Sequence, residues 1–384
     1  MRILYFGVYE PSYARNWVLI NGLKKNGVDI LELRQEPGRF ALFKLFFSYL
    51  KFKQDYDAMI VGFPGQEVMF LARLLVWLLR LGSHSSLSLR AHPSESKTGQ
   101  VKPIIFDAFT SHYGGYILDR KRWKKKGIRA RYFKFLDKWS CKLADVVLLD
   151  TDAHINFFVQ NFKLSKEKFR RIWIGANDDN FKPINRQDLF KQVLPVNDKF
   201  KVMFFGTYIP LQGAEYIVRA AKLLERETDI IFYFIGKGQD KYRCVNLVKE
   251  LGLKNIEFTD MIKPEELRLR IASADVVLGL FGNTPKTPLV IPNKIYEATA
   301  MKKPVITSDT PAIRELFSEG DMLLIGAANP DEIAKAISKL KNDPNLRGKI
   351  AENGYAKFKN NASSMILGSQ LKLIIEECVK NKKS

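Results

Sequence analysis

Two successive runs of apolar strands alternating with amphipathic helices constrain this chain more than any other feature. The first run contains RILYFGV, DILELR, DAMIVGF, PIIFDAF, DVVLLDT and RRIWIGA. The polar, Pro-containing link NDDNFKPINRQDLFKQVLPVNDK follows. The pattern then restarts with FKVMFFGT, DIIFYFIGK, NIEFTD, DVVLGLF, KPVITSD and DMLLIGA. Near-continuous apolar strands joined by helices predict parallel sheets covered on both faces. The expected fold is α/β, with two doubly wound Rossmann-like domains, residues 1–182 and 183–364, facing across a cleft. A length of 384 residues, 46% of them apolar, is enough for two cores. Ligands of such sheets bind at the carboxyl ends of the strands.

One segment breaks the rhythm. GSHSSLSLRAHPSESKTGQV (82–101) is far longer than the 2 to 6 residues usual between elements of α/β units, and reads as an insertion. Its His84 and His92 lack Cys or acidic partners at ligand spacing. Cys141, Cys244 and Cys378 show no CxxC pattern, so neither a disulfide framework nor a zinc knuckle is expected, and a reducing cytosol fits best. The N-terminus reads as a strand and a turn rather than a signal peptide.

The formal net charge is +21, and the stretch 120–142 holds eleven Lys or Arg against one Asp. Such a cluster attracts an anionic partner, a bilayer surface or nucleic acid. RFALFKLFFSYLKFK (39–53) sets Phe40, Phe43, Phe47 and Leu50 on one side of a helix, with Lys44, Lys51 and Lys53 at its margins; it can lie in a membrane interface or pack in a core. VMFLARLLVWLLRL (68–81) is too short to span a bilayer and reads as a core helix with one greasy outer face.

Three places in the second half can carry chemistry. FFGTYIPLQGAEYI sets Gly206 at a strand end and Gly213 before a helix, and FIGKGQDKY repeats the arrangement with Gly236 and Gly238. Such turns let backbone N–H groups meet an anion. IPNKIYEATAMKKPVI opens a helix with Asn293 and Lys294 and sets Glu297 one turn on. A carboxylate there can accept two ribose hydroxyls, or serve as a first-turn acid on the helix dipole.

These residues resemble a retaining GT-B glycosyltransferase of the family-4 type (glycosyl transferases group 1), over nearly the whole chain. WIGANDDNFKP resembles the family's linker, FGTYIPLQG its phosphate loop, and FIGKG its second glycine turn. IEFTDMIKPEEL, with Met261 and Ile262, resembles the base-contacting loop, and NKIYEATAMKKPVI the end of the E-x7-E signature. The resemblance implies a nucleotide-diphosphate sugar held by Gly206, Thr207, Gln212, Gly213, Gly236, Lys237, Met261, Ile262, Asn293, Lys294 and Glu297. It also implies that a last helix, 365–384, packs back on the N-terminal domain. Three positions depart from the family: its phosphate-loop Arg and Lys are here Thr207 and Gln212, and the first Glu of E-x7-E is Leu289.

In the first half, IIFDAFTSHYGGYILDRK presents Asp107 and His112 as candidate catalytic contacts, with Asp119 and Arg15 as acceptor contacts; Asp107 and His112 can also be loop caps. DTD (150–152) resembles a metal-binding DxD, but Asp152 is expected to be a helix N-cap, and no metal or cofactor is expected. The function expected is transfer of a sugar, with retention, to a lipid-linked or surface-glycan acceptor by a cytoplasmic protein peripheral on the inner face of an anionic membrane. The alternatives are a GT-B sugar-nucleotide epimerase and a non-catalytic nucleic-acid-binding protein. The absence of nucleic-acid motifs weighs against the latter.

Overall fold

The computed structural model describes residues 1–52, 54–82, 102–184 and 199–382. Lys53, the stretch 83–101 with His84 and His92, and the stretch 185–198 of the link lie outside the described residues. The chain divides into two units. The first comprises residues 1–113, 123–173 and 364–384; the second comprises 114–122 and 174–363.

In the first unit, the described strands are β1 (Arg2–Val8), β2 (Asp29–Gln35), β3 (Ala58–Val61), β4 (Ile104–Phe109), β5 (Val146–Leu149) and β6 (Phe169–Arg171). They form one parallel sheet in the order β2-β1-β3-β4-β5-β6. Its centre is dry: Ile3 to Phe6 and Ala58 to Val61 are fully buried. The sixth strand is shorter than RRIWIGA predicts, because the Ile172 and Trp173 carbonyls turn to Arg15 instead of a neighbouring strand.

The helices are α1 (Ala14–Lys25), α2 (Ala41–Lys51), α3 (Val68–Gly82), α4 (Ile128–Leu143) and α5 (Asp152–Phe162). Right-handed crossovers put α1 on one face and α2 to α5 on the other. Neighbours α2 and α3, α3 and α4, and α4 and α5 pack side by side. The helix Ser364–Asn381 joins α1 on the opposite face. Gly22 and Gly368 meet backbone to backbone there, where a Cβ on either would collide with the other helix.

The second unit is a parallel sheet of β7 (Phe200–Phe205), β8 (Ile230–Ile235), β9 (Ile256–Thr259), β10 (Val276–Leu278), β11 (Val305–Ser308) and β12 (Leu323–Ile325). Their order is β12-β11-β10-β7-β8-β9. The chain goes outward through β7, β8 and β9, then returns to the other side of β7 with β10. The β7/β10 boundary is therefore the topological switch point, where ligands of open parallel sheets bind. The helices are α6 (Ala214–Leu223), α7 (Lys241–Glu250), α8 (Pro264–Ser273), α9 (Asn293–Ala300), α10 (Pro311–Arg314), α11 (Pro330–Asn342) and α12 (Pro344–Asn361). The core joins Val202 and Phe204 of β7, Phe232 and Phe234 of β8, and Ile333 and Ile337 of α11.

Candidate functional site

The loops at the carboxyl ends of β7, β8 and β10 are tied together by their backbones. Gly206 N–H donates to the Ile235 carbonyl and Tyr208 N–H to the Lys237 carbonyl, each at 2.9 Å. On the other side, Phe281 and Gly282 N–H donate to the Gln212 and Leu211 carbonyls, each at 3.0 Å. The approach is close enough to require glycine. A Cβ at Gly236 would collide with the Gly206 carbonyl, and one at Gly213 with the Phe281 and Gly282 backbone. Gly213 also sits at φ +63°, starting α6.

Lys294 fills the switch point. Its Nζ lies 3.3 Å from the Gly279 carbonyl, just past β10, and 3.7 Å from the centroid of the Phe204 ring of β7. Only 4% of the residue is exposed, and burial pushes its pKa well below the usual 10.5. One turn along α9, Glu297 is half-buried; its backbone carbonyl accepts from Met301 N–H at 3.1 Å, and its carboxylate is left to a ligand. Burial raises its carboxyl to about 7, and Lys294 pulls it back in part. Both groups are thus drawn towards neutrality, and an anion or a set of hydroxyls would restore their charges. Gln212 is 7% exposed and its Oε1 has no partner, so the loop also holds an unspent acceptor.

The other expected donor residues occupy the same strand ends. Thr207 and Lys237 are exposed, Asn293 is half-buried in the first turn of α9, and Met261 (50% exposed) and half-buried Ile262 follow the edge strand β9. Leu289 packs with Leu211, Leu280 and Val290, so an apolar cluster stands where the family has a carboxylate. Two supporting residues escaped the sequence reading. Lys241 donates to the Gly236 and Thr259 carbonyls at 3.0 and 3.2 Å and pins the second glycine turn. Phe204 looks like any core aromatic until Lys294 is seen above it.

Four first-half expectations need correction. Asp107 and Arg15 are both fully buried and spent on each other: Arg15 Nε and Nη2 donate to Asp107 at 2.8 to 3.1 Å, and Nη1 donates to the Ile172 and Trp173 carbonyls. Burial pushes the Asp107 carboxyl up and Arg15 pulls it back. A pair so enclosed anchors strand ends and is not open to a ligand. Asp119 belongs to the second unit and is also fully buried, held by the Thr284 hydroxyl at 2.9 Å. Burial raises its pKa, while Lys286 and the Thr284 and Leu211 donors act in the opposite sense. Asp152 is not the N-cap of α5: Thr151 caps it, accepting from His154 N–H, and Asp152 pairs with Arg171 at 2.6 Å.

His112 is half-buried in a loop tied down by Asp137, whose carboxylate accepts from the Ser111 hydroxyl and from His112 and Tyr113 N–H. Nothing in the local sequence singles out Asp137, one acid within a basic helix. Cys141, Cys244 and Cys378 are free and buried. Among the described residues, no cluster of His, Cys, Asp or Glu is placed to hold a metal.

Residues 185–357 match the family model "Glycosyl transferases group 1". The chain is 24% identical over 333 residues to alpha-D-kanosaminyltransferase of Streptomyces kanamyceticus, covering 82% of this chain and 85% of that protein. It is 26% identical over 222 residues to D-inositol 3-phosphate glycosyltransferase of Corynebacterium urealyticum, covering 54% and 51%. Among solved structures, Anabaena HepE in complex with UDP-glucose superposes with a TM-score of 0.70 at 17% identity, covering 98% of this chain and 100% of that one. The chain therefore has the GT-B fold, and its residues 185–357 carry the sequence pattern of the glycosyl transferases group 1.

Proposed function

We propose that the protein is a glycosyltransferase that takes a sugar from a nucleotide diphosphate and passes it to an acceptor hydroxyl with retention. The observation that carries this reading is the Lys294–Glu297 arrangement at the β7/β10 switch point, beside the Gly206 and Gly236 turns. In this reading the glycine loop and the start of α9 receive the diphosphate. Lys294, recharged by the phosphate, offsets the charge that grows on the leaving group, and Glu297 accepts the ribose hydroxyls. Thr207 and Gln212 donate hydrogen bonds where the family uses cations.

In the transfer, the C1–O bond to the diphosphate breaks while the acceptor oxygen bonds to C1 on the same face. The acceptor proton passes to a phosphate oxygen, so no protein nucleophile is required. No metal or cofactor enters the scheme. The acceptor is taken to be lipid-linked or a surface glycan, with the protein peripheral on the inner face of the membrane.

Incubation with a panel of nucleotide sugars tests the reading. Slow release of free sugar from one donor, with the anomeric configuration kept in the NMR spectrum of fresh product, is expected. Binding of no nucleoside diphosphate at millimolar concentration overturns it.

A further inference from the structure

Three neighbouring helices of the first unit expose apolar side chains in parallel stripes. Phe40, Phe43, Phe47 and Leu50 stand out on α2 and its N-cap. Phe70, Leu74, Trp77 and Leu78 do so on α3, and Ile128, Tyr132, Phe135 and Trp139 on α4. Each set recurs at three to four residues, so each is one helix face. The stripes meet: α3 packs between α2 and α4, and the Phe70 and Phe135 rings stack with centroids 6.2 Å apart. Large apolar side chains scattered singly over a surface need no explanation, but a contiguous set marks an interaction site.

The charges carried by these three helices are almost wholly of one sign. Within α2, α3 and α4 the only acid is Asp137, which is buried and spent on the His112 loop. Of the acids at its edges, Glu67 accepts from the Tyr132 hydroxyl at 3.1 Å, Asp145 just past α4 pairs with Arg73 of α3 at 3.4 Å, and Glu36 stands exposed before α2. Lys44, Lys51, Arg129, Arg131, Lys134 and Lys142 are exposed beside the stripes, and Lys124 to Lys126 lie just before α4. Lys142 Nζ lies 4.8 Å from the centroid of the Trp139 ring.

We propose that this three-helix face docks on an anionic lipid bilayer, the aromatic stripes entering the interface and the cations meeting lipid phosphates. Trp and Tyr, with an apolar body and a polar tip, suit that depth, and a basic amphipathic surface binds by buried apolar area plus charge. A polyanion such as single-stranded nucleic acid would use the cations and could stack bases on the rings, but it would leave the aliphatic Leu50, Leu74, Leu78 and Ile128 in water, whereas a bilayer takes all twelve. The proposal deepens the membrane part of the reading above. It does not depend on the donor pocket, which is built in the other unit.

The test uses the full chain with phosphatidylcholine vesicles, with and without phosphatidylglycerol. Sedimentation with the anionic vesicles alone, weakening with salt, is expected. Brominated lipid should quench tryptophan emission, and Trp77→Phe with Trp139→Phe should abolish that quenching. The triple variant Phe43→Ser, Trp77→Ser, Phe135→Ser should lose at least about tenfold in vesicle affinity, with an unchanged thermal midpoint and unchanged UDP binding.

The proposal is overturned by unquenched tryptophan in vesicle-bound wild-type protein, by full vesicle binding by the triple variant, or by a dimer dissolved by those substitutions with no affinity for vesicles. Displacement from vesicles by an oligonucleotide that itself protects Trp77 and Trp139 also overturns it, in favour of nucleic acid. UDP binding that survives any of these leaves the transferase reading standing. Absent UDP binding with intact vesicle docking removes that reading alone.

Discussion

The Asp119 carboxylate accepts a 2.9 Å hydrogen bond from the Thr284 hydroxyl, so a residue from the first third of the sequence secures the loop after β10. The Leu211 N–H of the glycine loop faces the same carboxylate. Asp119→Ala would leave these donors and Lys286 without their shared acceptor. A stability loss of about 3 kcal/mol is expected, read from denaturation midpoints. If Asp119 instead contacts the acceptor substrate, stability will hold and only the acceptor KM will rise.

Glu297→Gln tests the ribose contact. Charge-assisted hydrogen bonds worth about 1.5 to 3 kcal/mol imply nucleotide binding weaker by about 10- to 100-fold, with no loss of stability. Calorimetric titration with UDP reads the affinity. Intact affinity would instead remove Glu297 from the site, since at the fifth position of α9 it lies beyond the first turn where a helix dipole favours an acid.

Nucleotide affinity should also depend on pH, with two limbs. Glu297 sits at about 7 in the free protein because of burial. Donated hydroxyls favour its ionised form, so affinity should climb as pH rises through about 7. Lys294 is held below its usual value, and a diphosphate favours its charged form. Affinity should therefore fall once the pH passes the depressed Lys294 value. Glu297→Gln should flatten the acid limb only, and a pH-independent wild-type affinity contradicts the scheme.

The same groups act on stability. The folded Glu297 value lies above the ordinary 4.5, so from about pH 4.5 to 7 the unfolded chain releases a proton that the folded chain keeps. Its contribution to stability is lost across that window. Replacing it with Gln should flatten the stability profile there, as measured by urea midpoints at several pH values.

Arg15 and Asp107 form a buried pair that supports structure. Removing one partner, as in Asp107→Ala, should cost about 3 to 5 kcal/mol by stranding a charge, whereas the double change Arg15→Met, Asp107→Leu should cost much less. Equal losses in the single and double variants would refute this account. Chemical denaturation of the three proteins decides.

What could be read from the sequence follows a physical division. The twelve strands among the described residues and their parallel pairing were legible because buried parallel strands leave continuous apolar runs bounded by turn residues. Gly206, Gly213, Gly236 and Lys294 were legible because a glycine turn at a strand end and a helix start are local features. Asp119, Asp137 and the Arg15–Asp107 pair were misread or missed because their meaning lies in partners 25 to 165 residues away. No local periodicity carries such pairing. The outward stripe of α4 was hidden for another reason: its aromatics lie among so many cations that the segment reads as charge alone.

The helix Ser364–Asn381 completes the first unit by laying Gly368 against Gly22 of α1. During synthesis, α1 leaves the ribosome long before the helix that covers it. The first unit must therefore wait, with the Gly22 face of α1 uncovered, until the whole second unit has been made. The half of the protein that begins first is thus the half finished last, and a premature stop just before residue 364 leaves both halves translated but only one closed.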